Sequence, residues 1–410
     1  MESVVITGMG VVSPLGSDCV TLWRNLVDGA SGIKSIPDLN DLSVTMGGPA
    51  HGFDPTRYLA AKEMRHLDRY CQMALTAGLD AVEAAALTPE TYAEDRIGIM
   101  IGTGAGGVAS LEEQHRAFLE KGHRRVSPLT VPMFIVNMAS GMLAVRLGAK
   151  GPGMDVSSAC ATGGHALALA CRLIQSGDAD CMIAGGVEAC LTPFAVSAFA
   201  AMKALSTRND QPEKASRPFD RERDGFVMAE GGAVMVLETY TRAKARGAKI
   251  LAKLTGIGMS QDAYHMVAPD PDATAVVYAM RAALNKAGIS AGDIGYINAH
   301  GTSTPLNDKT ETLAIKKVFG KQAFDVPVSS TKSMTGHLIG GAAGLETAIC
   351  VLAMQQGMLP PTINLTNPDP ECDLNYIPGR ALAKQVQYCM NNAFAFGGQN
   401  ICLVLEKGEN

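Results

Sequence analysis

The sequence predicts an α/β protein built from two similar halves, and three observations lead to this prediction. Short apolar runs alternate with helical patterns along the chain, for example at 97–102, 181–185 and 233–237. The chain has 410 residues, which is more than one hydrophobic core usually supports. A glycine-punctuated apolar run at 4–10 also recurs at 254–258, which indicates an internal repeat.

Each of these two openings leads, much later, to a Ser-rich turn and a long apolar helix, at 157–177 and at 328–357. A helix that is apolar on all sides has to be covered on all sides. We therefore expect the halves to pack through these helices in a five-layer α-β-α-β-α arrangement. We place their boundary after residue 249, which gives halves 1–249 and 250–410. The alternative is a chance resemblance between glycine-rich strand ends.

Composition and charge exclude several classes of function. The chain is 47% hydrophobic with a net charge of -5, which is typical of a large globular protein and argues against general nucleic-acid binding. Ten cysteines without a CxxC pair indicate reduced thiols and a cytoplasmic location, and the strand pattern at the N-terminus argues against a signal peptide. The apolar stretch 336–354 contains His337 and Glu346, so we expect a buried helix there and no membrane span.

Cys160 is the candidate nucleophile. It lies between a strand-like segment and the apolar helix 166–175, which stops at Gly177. The positive end of a helix favours a thiolate, so a lowered pKa is expected for this thiol. The alternative is a buried structural cysteine that acts as a small apolar residue.

Two histidines in the second half are candidate partners of this thiol. His300 follows the strand-like run 296–299, and His337 stands at the start of the last long helix. No carboxylate or cysteine lies near either histidine at ligand spacing, so no metal site is expected. A single histidine in such a place is more often a structural residue.

Glu346 is the only carboxylate in the apolar segment 338–354. A buried carboxylate costs several kcal/mol unless it is paired. Lys332, just upstream on the Ser-rich turn, is the expected partner, and such a pair beside His337 would set the electrostatics of a site.

A glycine-rich motif at 102–107 has the spacing GxGxxG of a dinucleotide site. The sequence after it is a charged helical stretch, 110–115, where a dinucleotide fold needs a strand that ends in an acidic residue. We therefore expect no nucleotide cofactor.

Four motifs occur in order, at 158–163, 298–304, 332–337 and 392–400. With them, the chain resembles the elongating β-ketoacyl-acyl-carrier-protein synthases over essentially its whole length, and synthase II of bacterial fatty-acid synthesis most of all. The resemblance implies the thiolase fold and a homodimer.

The resemblance also implies a reaction. Cys160 would take an acyl chain from acyl carrier protein as a thioester, and malonyl-carrier protein would lose CO2 and attack that thioester in a fatty-acid elongation step. No metal or other cofactor is implied. His300 and His337 would stabilise the enolate, and the backbone N–H groups of Cys160 and Phe396 would form an oxyanion hole.

The resemblance assigns further roles. Phe396 would also gate the site, Lys332 and Glu346 would support it as an ion pair, and Thr302 and Thr304 would contact the pantetheine arm.

Three positions differ from the usual pattern of the family. Ala105 stands beside the expected acyl pocket where a bulkier aliphatic residue is common, Ala395 replaces a glycine, and Gln399 replaces Thr or His. These differences leave the chain-length preference open. The alternative function is an elongating ketosynthase of a polyketide or other secondary-metabolite pathway.

Rival families with the same fold fit less well. A degradative thiolase would need a second catalytic cysteine near the C-terminus, and a starter-unit synthase would carry Asn where His337 stands.

An acidic carrier protein needs a basic docking surface on a chain of net charge -5. The candidates, which we call the docking residues, are Lys62, Arg65, His66, Arg69, Arg124, Arg125 and Lys203. The first four recur at the spacing of one helix face, and the others are expected in a loop and at a turn. The alternative is an ordinary solvated helix face.

Overall fold

The computed structural model describes residues 2–409, so the outermost residues of the two predicted halves, Met1 and Asn410, lie outside the described residues. Within them the strands β1 to β14 are, in order, Val4–Val12, Lys34–Ser35, Met46–Gly47, Ile97–Gly102, Gly153–Met154, Cys181–Glu188, Gly231–Thr239, Ala252–Gln261, Ile294–Asn298, Val328–Ser329, Met358–Leu359, Leu382–Ala383, Tyr388–Phe394 and Gln399–Lys407. The helices α1 to α13 are Cys19–Val27, Ala61–Met64, Arg69–Ala84, Val108–Lys121, Thr130–Phe134, Met138–Leu147, Thr162–Gln175, Pro193–Ala201, Tyr240–Ala245, Thr274–Ala287, Pro305–Phe319, Lys332–Thr335 and Ala342–Gln356.

Ten of the strands form one sheet in the order β10-β9-β13-β14-β8-β1-β7-β6-β4-β5. The five strands on either side of the centre repeat one pattern. In each half the first strand pairs antiparallel with the strand that comes last in sequence, as β1 does with β7 and β8 does with β14. The outer strands are parallel, β4 with β6 and β5, and β9 with β13 and β10. The internal repeat predicted from the sequence is therefore confirmed, whereas the boundary after residue 249 stays a prediction.

The two long apolar helices lie between the halves, as expected. Residues 342–354 of α13 are all buried. α7 and α13 approach so closely that a Cβ atom on Gly163 would lie 2.7 Å from the backbone nitrogen of Gly344. Helix α3 covers the other face of the first half and α10 that of the second. This gives five layers, with the two sheet halves enclosing the central helices.

The boundaries of both central helices differ from the predicted ones. α7 begins at Thr162, four residues before the predicted start, and α13 begins at Ala342, four residues after its predicted start. In both halves a single 3₁₀ turn, Ala159–Ala161 and Ile339–Gly341, precedes the helix. The sequence pattern had predicted a turn around Cys160, which is confirmed, but it had assigned 339–341 to the following helix, which is wrong.

The prediction that four docking residues share one helix face is wrong. Lys62 lies in α2, and a turn then separates it from Arg69, the first residue of α3. Asp68 starts the new helix because its buried carboxylate accepts a hydrogen bond from the backbone N–H of Tyr70 at 3.0 Å.

None of the helices within residues 2–409 has both the length and the apolar character that crossing a bilayer requires. All ten cysteines carry free thiols.

Candidate active site

Cys160 occupies the 3₁₀ turn that leads into α7, and its thiol is buried at 7% exposure. The residue before it, Ala159, has a φ of +47° in the left-handed region. A non-glycine residue in that region is strained and has to be held by its surroundings. The backbone N–H of Ser158 donates to the hydroxyl of Thr162 at 2.8 Å, which fixes one side of the turn.

The expectation of a lowered thiol pKa is wrong. Burial raises the pKa of Cys160 to about 11, because the loss of solvation destabilises the thiolate more than the neighbouring groups stabilise it. The ammonium group of Lys332 and hydrogen bonds from the backbone N–H groups of Phe396 and Cys160 lower this pKa, but by less than burial raises it.

His337 brings its ring to the thiol. Its Nε2 atom lies 3.0 Å from the Sγ atom of Cys160, which is hydrogen-bond distance for a sulfur. The backbone of His337 is held on both sides, since its N–H donates to the carbonyl of Val227 at 2.8 Å and its carbonyl accepts from Ala229 at 2.9 Å. The edge of the Phe226 ring packs against the imidazole at a centroid distance of 5.1 Å. These contacts hold the imidazole ring beside the thiol.

His300 lies next to His337 at the end of β9, with 5.5 Å between the ring centroids. Its backbone N–H donates to the buried carboxylate of Glu311 at 2.9 Å, and its ring packs against Phe394. The Nδ1 atom lies 3.4 Å from the Nζ atom of Lys332. An ammonium group can only donate, so Nδ1 is the acceptor and the ring proton sits on Nε2.

Both imidazoles are uncharged at neutral pH. Burial, and after it the positive charge of Lys332, hold the pKa values of His300 and His337 well below their usual range. A neutral ring can donate an N–H without adding a charge to the site.

The predicted pairing of Lys332 with Glu346 is confirmed, since the ammonium group donates to a carboxylate oxygen and both side chains are almost fully buried. Burial raises the pKa of Glu346 to about 7, against the opposing effect of Lys332. The pair places a fixed positive charge beside His300 at the bottom of the site.

A cavity of about 470 Å³ opens above the thiol. Thr302, Thr304 and Lys203 line it with Phe396, and the hydroxyl oxygens of the two threonines are 2.9 Å apart. Ala105 is not among its lining residues. It lies exposed after β4, so its role as an acyl-pocket residue stays a prediction.

The docking residues differ in whether their charged groups are hydrogen-bonded within the chain. All seven are exposed, and Lys203 lies at the cavity wall with a left-handed backbone, as a turn residue would. Arg69 instead holds the carboxylate of Glu230 with two hydrogen bonds, at 2.6 and 2.8 Å. Its guanidinium is therefore engaged within the chain.

Sequence reasoning missed Glu188, a fully buried carboxylate at the end of β6. It accepts from the hydroxyl of Thr103 at 2.9 Å and from the backbone N–H groups of Gly104 and Ala105 at 2.8 and 3.3 Å. The amides that a phosphate would need in the GxGxxG segment are thus occupied by this carboxylate. A lone acidic residue after the apolar run 181–187 is the signal that would have found it.

Cys160, His300 and His337 are also the group among residues 2–409 whose donor atoms are close enough to share a metal ion, within 4.8 Å of one another. Zinc takes such ligands. The buried ammonium of Lys332, however, already places a positive charge 3.4 Å from one of the donors, which opposes a second cation.

The sequence profiles of two domains match this chain. The N-terminal domain of β-ketoacyl synthase matches residues 1–243, and its C-terminal domain matches residues 251–366. The chain belongs to the β-ketoacyl synthase family. The resemblance inferred from the four motifs is therefore confirmed.

Curated relatives of this condensing enzyme are similar over their whole length. The chain is 48% identical to 3-oxoacyl-[acyl-carrier-protein] synthase 2 of Synechocystis sp. over 99% of this chain and 98% of the relative. It is 47% identical to the protein of the same name from Coxiella burnetii, over 98% of each chain.

Solved ketosynthases share the fold. A β-ketoacyl synthase from Burkholderia phymatum is 36% identical, with a TM-score of 0.93 over 99% of this chain and 100% of that one. A type II polyketide ketosynthase, solved in complex with its acyl carrier protein, is 34% identical with a TM-score of 0.93 over 100% of each chain. The predicted thiolase fold is confirmed by these neighbours.

Proposed function

We propose that this synthase elongates fatty acids by decarboxylative Claisen condensation of malonyl-acyl carrier protein with an acyl chain bound to Cys160, giving 3-oxoacyl-acyl carrier protein. The observation that carries the proposal is the 3.0 Å contact between the thiol and His337, with a second neutral imidazole beside it, at the end of a cavity. Residues 1–249 would supply the nucleophile and residues 250–410 the two histidines.

In the first half-reaction the Cys160 sulfur attacks the acyl thioester of the carrier protein. The new C–S bond forms as the bond to the pantetheine sulfur breaks, and the thiol proton leaves with the carrier as its free thiol. The N–H groups of Cys160 and Phe396 hold the carbonyl oxygen while it carries negative charge. An N–H on Nε2 of His337 would make the sulfur easier to ionise despite its raised pKa.

In the second half-reaction malonyl-carrier protein enters the cavity along Thr302 and Thr304. Its terminal C–C bond breaks, CO2 leaves, and the electron pair remains as an enolate. The N–H groups of His300 and His337 stabilise the enolate oxygen, and Lys332 keeps the proton of His300 on the Nε2 atom that faces it. The enolate carbon then attacks the Cys160 thioester, which releases the sulfur and yields a chain two carbons longer.

The carrier protein would dock on the exposed docking residues, namely Lys62, Arg65, His66, Arg124, Arg125 and Lys203. They provide local positive charge on a chain of net charge -5. Arg69 contributes through its bond to Glu230 and not by contact with the carrier.

A homodimer is part of the proposal. Strand β5 ends the sheet and is exposed, and apolar side chains are exposed near it in sequence, including Val136, Val145 and Met154. An open sheet edge with apolar neighbours is suited to pairing with a second copy. Light scattering on the purified protein would test this. We place the enzyme in the cytoplasm because its ten thiols are free.

The deciding experiment uses the purified protein with acyl- and malonyl-carrier proteins. Intact mass should show one acyl chain added to Cys160, and addition of malonyl-carrier protein should release CO2 and a 3-oxoacyl product. A wild-type protein that takes no acyl chain from any carrier would disprove the proposal. Acceptance of 3-oxoacyl primers separates fatty-acid elongation from the polyketide alternative, since only the latter requires 3-oxoacyl chains to be extended again.

A further inference from the structure

Arg223 is a buried arginine next to the cavity, although it does not line it, and its side chain is only 4% exposed. Its Nε atom donates to the carbonyl of Thr304 at 3.1 Å, and its Nη2 atom donates to the carbonyl of Pro305 at 2.9 Å. These are the two residues at which α11 begins. The guanidinium therefore holds the backbone of a threonine that lines the cavity.

Two carboxylates fix the guanidinium of Arg223. Its Nη1 atom donates to a carboxylate oxygen of Asp369 at 2.6 Å, and its Nε atom lies 3.5 Å from a carboxylate oxygen of Asp308. Nη1 also donates to the carbonyl of Asp220 at 2.9 Å. A planar guanidinium with five donors holds several acceptors at fixed angles, whereas a lysine ammonium acts as a point charge. These partners therefore fix the orientation in which the arginine reaches the two carbonyls at the start of α11.

The backbone that Arg223 holds is strained and needs support. Ser303, between the two threonines of the cavity wall, has a φ of +69° in the left-handed region, which is costly for a residue other than glycine. The N–H of Gly225, two residues after Arg223, donates to the Ser303 carbonyl at 3.1 Å. The hydroxyl oxygens of Thr302 and Thr304 lie 2.9 Å apart on the two sides of Ser303. The relative position of the two hydroxyls therefore depends on contacts that this backbone makes with Arg223 and its neighbours.

We propose that Arg223 is a positioning residue for the pantetheine arm of the substrate. It fixes the carbonyls of Thr304 and Pro305, and through them the hydroxyls of Thr302 and Thr304 that meet the arm. It does not touch the substrate itself. The inference rests on the proposed function, in which these two threonines contact pantetheine. The effect of Arg223 should therefore be on the binding of substrates that carry this arm, and not on the chemistry at Cys160.

The experiment compares two acyl donors that have the same acyl chain and no carrier protein. Acyl-pantetheine contains the arm, whereas the thioester of ethanethiol does not. Arg223→Lys keeps the positive charge but loses the fork of donors. One hydrogen bond to the arm is worth roughly three- to tenfold in affinity, so this variant should raise the half-saturating concentration of acyl-pantetheine by about that factor. The maximal rate of Cys160 acylation, followed by intact mass, and the rate with the ethanethiol thioester should stay near the wild-type values.

A double variant tests whether Arg223 acts through Thr304. Thr304→Val removes the hydroxyl and keeps the branched shape, and it should raise the same half-saturating concentration. Two residues that act through one contact have effects that do not add, so Arg223→Lys should add less than about twofold in the Thr304→Val background. Fully additive effects, or an unchanged half-saturating concentration in Thr304→Val, would overturn the inference.

Arg96→Lys is the matched control. Arg96 also holds two backbone carbonyls, those of Gly177 and Asp178, and the carboxylate of Asp180. None of these three partners lines the cavity, so the variant should react with both donors as the wild type does.

Equal losses with both donors, or a wild-type half-saturating concentration in Arg223→Lys, would contradict the inference. If Arg223→Lys does not fold, Asp369→Asn keeps the arginine and weakens the 2.6 Å contact that orients it. That variant should raise the half-saturating concentration of acyl-pantetheine alone, by about twofold, and an unchanged value would again contradict the inference. A wild-type enzyme that takes an acyl chain neither from acyl-pantetheine nor from any carrier would refute the proposed function instead, so the two failures are distinguishable.

Discussion

Two turns related by the internal repeat have nearly the same backbone conformation but very different side chains. Ala159–Ala161 precedes α7, and Ile339–Gly341 precedes α13. Each begins with a non-glycine residue in the left-handed region, with φ of +47° at Ala159 and +46° at Ile339. The first turn presents the thiol of Cys160 to the cavity, whereas the second has Gly340 at the same position.

Gly340 has no room for a side chain. A Cβ atom there would lie 2.4 Å from the backbone nitrogen of Gly104 and 2.8 Å from a carboxylate oxygen of Glu188. The backbone N–H of Gly340 also donates to Glu188 at 3.2 Å. In the proposed mechanism the repeat therefore carries one nucleophile, in the turn of the first half, whereas the turn of the second half binds the two halves together through Gly340 and Glu188.

The largest effect should come from removing the side chain that distinguishes the two turns. Cys160→Ala makes the first turn resemble the second, and we expect it to abolish acyl-enzyme formation and condensation, because no other thiol lies at the cavity floor. Intact mass after incubation with acyl-carrier protein measures this. Acylation of the variant at the wild-type rate would show that the nucleophile lies elsewhere.

In the proposed mechanism the second half contributes the enolate donors, and their removal should separate the half-reactions. His300→Ala and His337→Ala should each slow CO2 release from malonyl-carrier protein by about 100-fold, the usual cost of one such donor, and slow acylation of Cys160 much less. Equal effects on both steps would mean that the histidines only maintain the fold.

Gly340→Ala tests whether the close packing of the second turn stabilises the fold. The added Cβ meets backbone atoms that cannot move aside, so we expect a loss of about 3 kcal/mol in the free energy of unfolding. Gly141→Ala is the matched control, because that glycine lies inside α6 with nothing within 4 Å of its Cβ position. It should gain roughly 0.5–1 kcal/mol from better helix propensity. Urea denaturation of both variants gives the comparison.

The raised pKa of Cys160 predicts how its alkylation depends on pH. The thiolate is the reactive form, so below a pKa of about 11 the rate should rise about tenfold for each pH unit. We expect no plateau between pH 6 and pH 9 when iodoacetamide labelling of Cys160 is followed by peptide mass. A plateau above pH 7 would show that the helix terminus and Lys332 outweigh burial.

The smallest effect should come from the docking surface of the first half. Charge reversal in Lys62→Glu with Arg65→Glu should raise the KM for acyl-carrier protein several-fold and weaken its salt dependence, because both side chains are exposed. Turnover of a small acyl thioester without the carrier should not change. Lys286→Glu with Lys321→Glu, two exposed residues of the second half, changes the net charge equally and controls for it.

The sequence predicted the parts of the molecule that depend on local patterns. The recurrence of the β1 pattern in β8 indicated the repeat, and the apolar character of α13 placed it between layers. The lone carboxylate of Glu346 in that helix called for a buried partner, and Lys332 is that partner. Each of these predictions used neighbours in sequence or the cost of burying one group.

The remaining features depend on residues that are far apart in the chain. The pKa of Cys160 is raised because the thiol is buried in the folded chain. Its position at a helix N-terminus alone suggested a lowered pKa. The sequence could not show that Arg69 pairs with Glu230, because the two residues are 161 positions apart.

The position of β14 has a consequence for how the chain is made. This strand, 399–407, follows all other described strands in sequence but lies inside the sheet, between β13 and β8. During synthesis both of its neighbours have an unpaired edge until β14 has been made, and such edges invite pairing with other chains. The edge of β8 stays unpaired longest, because the segment from α10 to β13 is made before β14. A nascent chain therefore exposes this edge to pairing with other chains while most of the second half is being made.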